Sequence, residues 1–161
     1  MKPYTYLLTD ARTLIKEPDP GSLLSPAPGA VAVRSLYSAI SPGTEMAAWT
    51  GMPSLRPTAN PYPRLMGYCH LGEVMALGDG VQAIKLGQYV LSNAAHRSHT
   101  HLRVSEILCS VDKNINPVLA STTYLFHLGY AACLKAGGIM GQSVAVLGLG
   151  TLGLTTAAVA N

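Results

Sequence analysis

The chain has 161 residues, of which 48% are hydrophobic and only 12% charged, so it is globular and long enough to bury a sizeable core. Its eleven basic and eight acidic residues give a net charge of +3, and the basic residues are scattered, which argues against a nucleic-acid-binding patch or a polybasic membrane tether. No apolar run approaches roughly 18 residues and the N-terminus lacks an apolar signal region, so we expect a soluble, cytoplasmic protein that binds neither nucleic acid nor membrane.

The part of the chain before residue 117 predicts short strands joined by Gly- and Pro-rich turns. We predict strands at residues 5–8, 13–16, 30–40, 67–76, 88–92, 99–104 and 107–111. Ser41-Pro42 predicts the start of a short helix that ends near Gly51, because proline is favoured in a first helical turn. The prolines of residues 52–63 predict an irregular surface loop. Short strands at this spacing favour a small β-barrel or sandwich.

The periodicity changes to that of a helix at Pro117. Apolar residues then recur at three- and four-residue spacings, and two consecutive glycines mark the end. We therefore predict a linking helix over residues 117–138, with a break near Gly129. The chain divides into a β-rich domain over residues 1–116, this helix, and a final segment over residues 139–161.

The final segment has the pattern of a strand, a glycine turn and a helix. Residues 143–147 are almost wholly apolar, as in a strand buried on both faces, and the small apolar residues 154–160 suit a helix packed on a sheet. Between them lies G-L-G-T-L-G, the G-x-G-x-x-G that begins a dinucleotide-binding fold. The predicted cofactor-binding residues are Gly148, Gly150, Thr151, Leu152 and Gly153. The alternative is an ordinary strand–turn–helix whose glycines serve packing alone.

Each glycine of this turn has a separate predicted task. Gly148 allows the tight turn, Gly150 lets the backbone approach a pyrophosphate, and Gly153 lets the helix lie close to its strand. A Rossmann domain needs several further strands, and its ribose-binding acid is expected about 20 residues after the glycines. We therefore expect these residues to belong to a longer polypeptide, or the final segment to pair with another chain.

A resemblance to a known family rests on residues 67–90. The run GYCHLGEVMALGDGV, continued by KLGQYV, is similar to the signature of the medium-chain dehydrogenases/reductases, which contains G-H-E, G-x-V, V-G and K-x-G-D-x-V. The matching positions are Gly67, Gly72, Val74, Gly78, Val81, Gly87 and Val90. The resemblance implies an α/β protein with a GroES-like β-barrel domain, a linking helix and the first βα unit of a Rossmann fold, C-terminally incomplete. Residues 38–45 resemble the branch of bacteriochlorophyllide-type dehydrogenases.

The chain departs from this family where its zinc-dependent members hold their catalytic metal. The corresponding positions are Ser41, Tyr68 and the region 121–123, and hydroxyl groups are poor zinc ligands beside thiolate and imidazole. Cys69 replaces the glutamate of G-H-E but cannot hold a metal alone. A lobe of four close cysteines is also missing from the sequence. We therefore predict a member that has lost both zinc ions and has no metal site.

The resemblance implies an NAD(P)-dependent oxidoreductase that transfers hydride between nicotinamide and a carbonyl, alcohol or activated alkene of a small molecule. Its implied catalytic residues are Tyr68, Ser41, Thr44 and Glu45. Tyr68 replaces the metal-binding histidine and could donate a proton in the cleft, and the other three lie where the family lines its active site. Tyr68 could equally cap the barrel core, and Glu45 could be only a first-turn acid.

Three histidines, His96, His99 and His101, form the densest group of possible metal ligands in the sequence. On a strand, His99 and His101 would share one face, but no cysteine or acid lies close to them in the sequence. Solvated histidines are the preferred interpretation, with His101 retained as a residue that could face the substrate. Cys69 would be reactive only if its pKa were lowered.

The cofactor is expected to be NAD or NADP, with NADP slightly favoured, and the full-length protein is expected to form a homo-oligomer. We expect the 161-residue chain alone to be inactive. The alternative hypothesis is a non-catalytic GroES-like binding module, which the missing zinc ligands and the missing remainder of the Rossmann domain favour.

Overall fold

The computed structural model describes residues 2–23, 25–52, 61–137 and 141–161. The described strands are β1 (Tyr4–Asp10), β2 (Thr13–Pro18), β3 (Ala30–Ala39), β4 (Arg64–Leu65), β5 (Cys69–Leu77), β6 (Tyr89–Ser92), β7 (His99–Arg103) and β8 (Ile107–Val111). The described α-helices are α1 (Pro42–Thr50), α2 (Pro117–Ser121), α3 (Thr123–Lys135) and α4 (Thr151–Ala160). Every strand predicted before residue 117 is confirmed, whereas most of the predicted loop 52–63 lies outside the described residues.

The described strands form two antiparallel sheets. One has three strands in the order β2-β1-β4, and the other has five in the order β7-β3-β5-β6-β8. The mixed α/β class is confirmed. The predicted closure into a barrel is not found among these strands, because β7 and β8 each pair on one side only and remain edges of an open sheet.

The core lies against the five-stranded sheet. Alternating apolar residues of β3 place Val31 and Val33 against side chains from β5, β6 and β7, as expected for strands with one buried face. A second cluster joins Leu71 and Leu91 to Ala120, so that α2 packs onto β5 and β6. Within the described ranges, no helix combines the length and the apolar character needed to cross a bilayer.

The linking helix is broken earlier than the sequence predicts. Asn116 caps α2 by accepting from the N–H of Val118 at 2.9 Å, and the helix is interrupted at Thr122 rather than at Gly129. The hydroxyl groups of Ser121, Thr122 and Thr123 each donate to the backbone carbonyl three residues earlier, all at 2.7 Å. Hydroxyls that bond the local backbone in this way compete with regular helix hydrogen bonds, which accounts for a break at this point.

Gly129 has a different role from the predicted helix break. It is buried in the middle of α3, and a Cβ there would lie 2.8 Å from the backbone of Thr155 and Thr156 in α4. The absent side chain therefore allows the two helices to touch. The Cys133 thiol, one turn further along α3, lies 3.9 Å from the carbonyl oxygen of Thr156.

The predicted strand over residues 143–147 is not formed. Residues 143–149 pair with no described strand, and Leu147 is 97% exposed. An apolar run alone does not form a strand, because a strand needs hydrogen bonds from a neighbour. The five-stranded sheet ends at β7 and β8 and supplies none to this segment.

His70 is a structural residue of the sheet. It is only 1% exposed, and its two ring nitrogens bond the hydroxyls of Ser35 on β3 and Ser92 on β6, at 2.9 and 2.8 Å. Burial, together with the electrostatic effect of Arg97 and His96, lowers the pKa of His70 to about 4. The imidazole is therefore neutral in the folded protein at neutral pH.

We expect His70 to make the protein acid-sensitive. The pKa of His70 is lower in the folded than in the unfolded chain, so the unfolded chain binds more protons between about pH 6.5 and 4. The contribution of His70 to the free energy of unfolding is therefore complete above this pH range and is lost as the pH falls through it. Between pH 7 and pH 4, the free energy of unfolding of the wild type should fall by about 3 kcal/mol more than that of His70→Gln. Urea unfolding across this range measures the difference, and parallel pH dependences would contradict it.

The α3–α4 contact can be tested at Gly129. Gly129→Ala places a methyl group against the α4 backbone and should weaken the packing of α4 by about 1–3 kcal/mol. Hydrogen exchange should then accelerate at α4 amides and remain unchanged in β3 and β5. Gly43→Ala is the matched control, since a Cβ at Gly43 meets no atom within 4 Å. Equal exchange in α4 of both variants would refute the contact.

Candidate functional site

The site begins at the junction of β3 and α1, where Pro42 starts the helix. Ser41 is the N-cap residue, and its N–H donates to Oε1 of Glu45 at 2.8 Å. Glu45 is only 8% exposed although it carries a carboxylate. Its first oxygen thus satisfies the backbone at the start of α1, as an acid in a first helical turn can do.

The second carboxylate oxygen of Glu45 contacts a histidine. Oε2 lies 2.8 Å from Nε2 of His96, and Nδ1 of the same ring lies 2.5 Å from the hydroxyl oxygen of Ser38 on β3. The backbone holds His96 in this position, since its N–H donates to Met66 at 2.6 Å and its carbonyl accepts from Tyr6 at 3.1 Å. Ser38, His96 and Glu45 therefore form one continuous hydrogen-bonded chain, which we call the Ser–His–Glu chain.

The Ser–His–Glu chain lies in the wall of a large cavity, which has a volume of about 1050 Å³. The rest of the wall is mainly apolar and comes from β1, β3, α1 and the segment before β7. Its large apolar and aromatic members are Tyr4, Tyr6, Leu14, Leu36, Tyr37, Ile40, Met46, Trp49 and Met66. Concave, mostly apolar cavities with a few converging polar groups are the usual form of small-molecule sites.

Glu45 is the only one of the four predicted catalytic residues that lines this cavity. Ser41 is buried beside it and contributes its backbone N–H, whereas Thr44 is exposed. The Tyr68 ring packs edge-on against Tyr124 of α3, with the ring centroids 5.4 Å apart. The catalytic roles of these residues remain predictions.

Cys69 lies in a second, smaller cavity of about 270 Å³, together with His70, Tyr124 and His127. Burial, together with the nearby Glu45 carboxylate, raises the pKa of the Cys69 thiol to about 11. The thiol is therefore protonated at neutral pH. A lowered pKa was the condition for a reactive cysteine, and Cys69 does not meet it.

The three histidines predicted as possible ligands do not converge. His96 belongs to the Ser–His–Glu chain, His99 contacts the Ser98 hydroxyl at 3.1 Å, and His101 lines a separate cavity of about 550 Å³. Across residues 2–23, 25–52, 61–137 and 141–161, no three His, Cys, Asp or Glu side chains are grouped as a metal site would require. The sequence singled out His96 only as a ligand and gave no signal for its pairing with Glu45.

The glycine turn before α4 has the shape that its sequence predicts. Gly148 has φ +89°, a conformation that favours glycine, and a Cβ on Gly153 would collide with the Gly148 carbonyl. Gly150 is the N-cap of α4, and a Cβ there would meet no atom of this chain within 4 Å. Two glycines are therefore required by the turn itself, whereas the third leaves open space at the helix N-terminus.

A scan against protein-family models finds no match, and a search of the curated proteins finds none either. Solved structures do match. An oxidoreductase/dehydrogenase of unknown specificity from Escherichia coli, involved in membrane biogenesis, has a TM-score of 0.80 at 18% identity over 97% of this chain and 53% of its own. A dehydrogenase designated zinc-binding from Sinorhizobium meliloti 1021, bound to NADP, has a TM-score of 0.80 at 17% identity over 99% and 53%. This chain has the fold of the matching half of these dehydrogenases.

A third match, acetophenone reductase from Geotrichum candidum in complex with NAD, has a TM-score of 0.71 at 18% identity and covers 99% of this chain and 55% of its own. The chain thus spans about half the length of the dehydrogenase and reductase structures that it matches. The mixed α/β fold implied by residues 67–90 is confirmed, whereas its barrel closure and the strand before the glycine turn are not found among the described residues.

The link between Glu45 and His96 can be measured with a double-mutant cycle. Glu45→Ala leaves the Ser41 N–H and one His96 nitrogen without their partner, and should cost about 2–4 kcal/mol of stability. His96→Gln, Glu45→Ala and the double variant should give a coupling energy of about 1–3 kcal/mol in urea unfolding.

Glu45→Gln is the matched variant for this cycle, because its amide oxygen can still accept from Ser41. It should retain part of the stability that Glu45→Ala loses. Additive losses from Glu45 and His96 would show that the two side chains do not interact.

Proposed function

We propose that this protein is an NAD(P)-dependent oxidoreductase that acts on a small-molecule carbonyl, alcohol or activated alkene. The observation that carries the proposal is the glycine turn on a medium-chain dehydrogenase fold. Gly150 leaves unfilled space exactly where the helix N-terminus presents unpaired N–H groups, and such a terminus suits a pyrophosphate. The residues of the turn therefore fit a dinucleotide.

A nicotinamide cofactor would supply the hydride, and the protein would bind it, align the substrate and exclude water. Gly150 and the first turn of α4 would hold the diphosphate, while Thr151 and Leu152 continue the backbone around it. NADP-bound and NAD-bound structures both occur among the matching folds, so either form of the cofactor is consistent with the proposal.

We also propose that catalysis needs no zinc. The donor set supports this, since Ser41 and Tyr68 offer hydroxyl groups and the nearby Cys69 has a raised pKa. A zinc ion would have to displace the proton of that thiol, and Ser41 and Tyr68 would add only weak oxygen ligands. Charge that develops on a substrate oxygen must then be neutralised by protein groups.

Gly150→Ala tests the cofactor site with little effect on the fold. Its φ of −75° is open to alanine and the new methyl group meets nothing within 4 Å, so stability should change by less than about 1 kcal/mol. In the native polypeptide at its full length, fluorescence titration with NADPH and NADH should show an affinity at least about tenfold weaker, because the methyl group occupies the approach of the pyrophosphate.

Gly43→Ala is the control, because it adds the same methyl group in an equally open position on α1. Unchanged affinity in Gly150→Ala, or no binding of either nucleotide to the wild type, would overturn the proposed function. Metal analysis of the purified wild type tests the zinc-free proposal separately.

A further inference from the structure

Two side chains in the wall of one cavity each have a buried nitrogen without a hydrogen-bond partner among the residues that the structure describes. The two atoms are Nε of Arg97 and Nε2 of His101, and both residues line the cavity of about 550 Å³. This cavity lies between β4, β7 and the start of β8. Because buried polar atoms in folded proteins are almost always hydrogen-bonded, two unpaired nitrogens at one cavity indicate a ligand.

A ligand that satisfies both nitrogens must supply acceptor atoms. The guanidinium of Arg97 has only donors, and Nε2 of His101 donates whenever it carries a ring proton. The positive charge of Arg97 is only partly offset, because its Nη1 lies 3.9 Å from Oδ2 of Asp19, beyond hydrogen-bond distance. A positive charge beside two unpaired donors favours an anion, since charge-assisted hydrogen bonds are the stronger kind.

The carboxylate in this wall, that of Glu106, is engaged elsewhere. Its Oε2 accepts from the Arg103 backbone N–H at 2.8 Å, and its Oε1 accepts from the Arg103 guanidinium at 2.9 Å. The negative charge of Glu106 adds to the cost of a doubly charged ligand, which favours a monoanion over hydrogen phosphate. Two donors also match the two oxygens of a carboxylate.

The rest of the wall suits an organic body attached to the carboxylate. Leu65, Ala94, Leu102 and Leu108 line the cavity, and the side chains of Leu65 and Leu108 are exposed. Covering this apolar surface with a chain of several carbons is favourable. A volume of about 550 Å³ lies within the range of small-molecule sites and is larger than a bare ion would fill.

We propose that this cavity binds a small monocarboxylate with an apolar body, whose two oxygens accept from Arg97 and His101. Because both nitrogens are buried, the two side chains turn toward the cavity as the ligand enters, a rotamer change of the kind that commonly accompanies binding. Within the described ranges, no residue of the glycine turn or of α4 lines this cavity. The site is therefore separate from the proposed dinucleotide site and does not depend on the proposed function.

Calorimetric titration of the native full-length protein with sodium hexanoate tests the site. Hexanoate should bind with a Kd of about 1 mM or tighter. Hexanamide, which lacks the charge, and inorganic phosphate, which carries a second charge, should each bind at least about tenfold more weakly. In nitrogen NMR spectra of the wild type, hexanoate should shift the side-chain signals of Arg97 and His101, and this measurement needs no variant.

Two variants remove one donor each. Arg97→Lys keeps the positive charge but removes the Nε–H, and His101→Phe keeps a ring without its nitrogens. Each should weaken hexanoate binding at least about tenfold. His99→Phe is the matched control, since His99 lies two residues away on β7 and lines the other, larger cavity. Its affinity for hexanoate should stay within about twofold of wild type.

Three results would overturn the proposal. The first is the absence of hexanoate binding, or binding that leaves the Arg97 and His101 signals unshifted. The second is wild-type affinity in both Arg97→Lys and His101→Phe, which would place hexanoate elsewhere. The third is phosphate binding as tight as that of hexanoate, which would exclude the carboxylate class. If neither NADPH nor NADH binds while hexanoate does, the proposed function fails and this site stands.

Discussion

Both oxygens of the buried Glu45 carboxylate are hydrogen-bonded, and these two bonds connect α1 to the segment before β7. Removing Glu45 from water costs several kcal/mol in the absence of partners, and the structure offsets this with a backbone N–H on one side and an imidazole on the other. Because those partners belong to α1 and to the segment before β7, a single side chain fixes the position of one relative to the other. The cavity wall is built around this fixed point.

The glycines of the C-terminal part fall into two groups that differ in physical origin. Gly129, Gly148 and Gly153 are required by the protein itself, through close backbone contact or a positive φ. Gly150 has no such requirement within these residues, because its surroundings are open. The open space beside Gly150 is the feature on which the proposed dinucleotide site rests.

Local patterns in the sequence were sufficient for most of the fold. The alternation of Val31 and Val33 and the turn signals around the strands placed each element before residue 117 within a few residues. The pattern of residues 143–147 was equally clear, yet strand formation depends on a partner that no local pattern reveals. The helix break at Thr122 was missed because three hydroxyls bonded their own backbone, a competition that apolar periodicity does not report.

The candidate site was only partly accessible from the sequence. Glu45 could be selected because a resemblance to a known motif marked its neighbourhood, but its partners His96 and Ser38 lie 51 and 7 positions away and meet it only through sheet topology. The reactivity of Cys69 was left conditional on a lowered pKa, and only its burial in the fold shows that the pKa is raised instead. Residue identity and spacing suggest candidate site residues, whereas burial and hydrogen-bond partners determine the chemistry that each residue can perform.

The close approach of Gly67 to the His96 ring restricts substitution more strongly at Gly67 than at His96. Gly67 has φ +90°, and a Cβ there would lie 2.5 Å from the His96 ring, so no side chain can be added without displacing the imidazole. A smaller residue in place of His96 would clear that space, yet the backbone at Gly67 would still favour glycine. During sequence divergence, His96 can therefore be substituted while Gly67 is still present, whereas Gly67 cannot be substituted while His96 is still present.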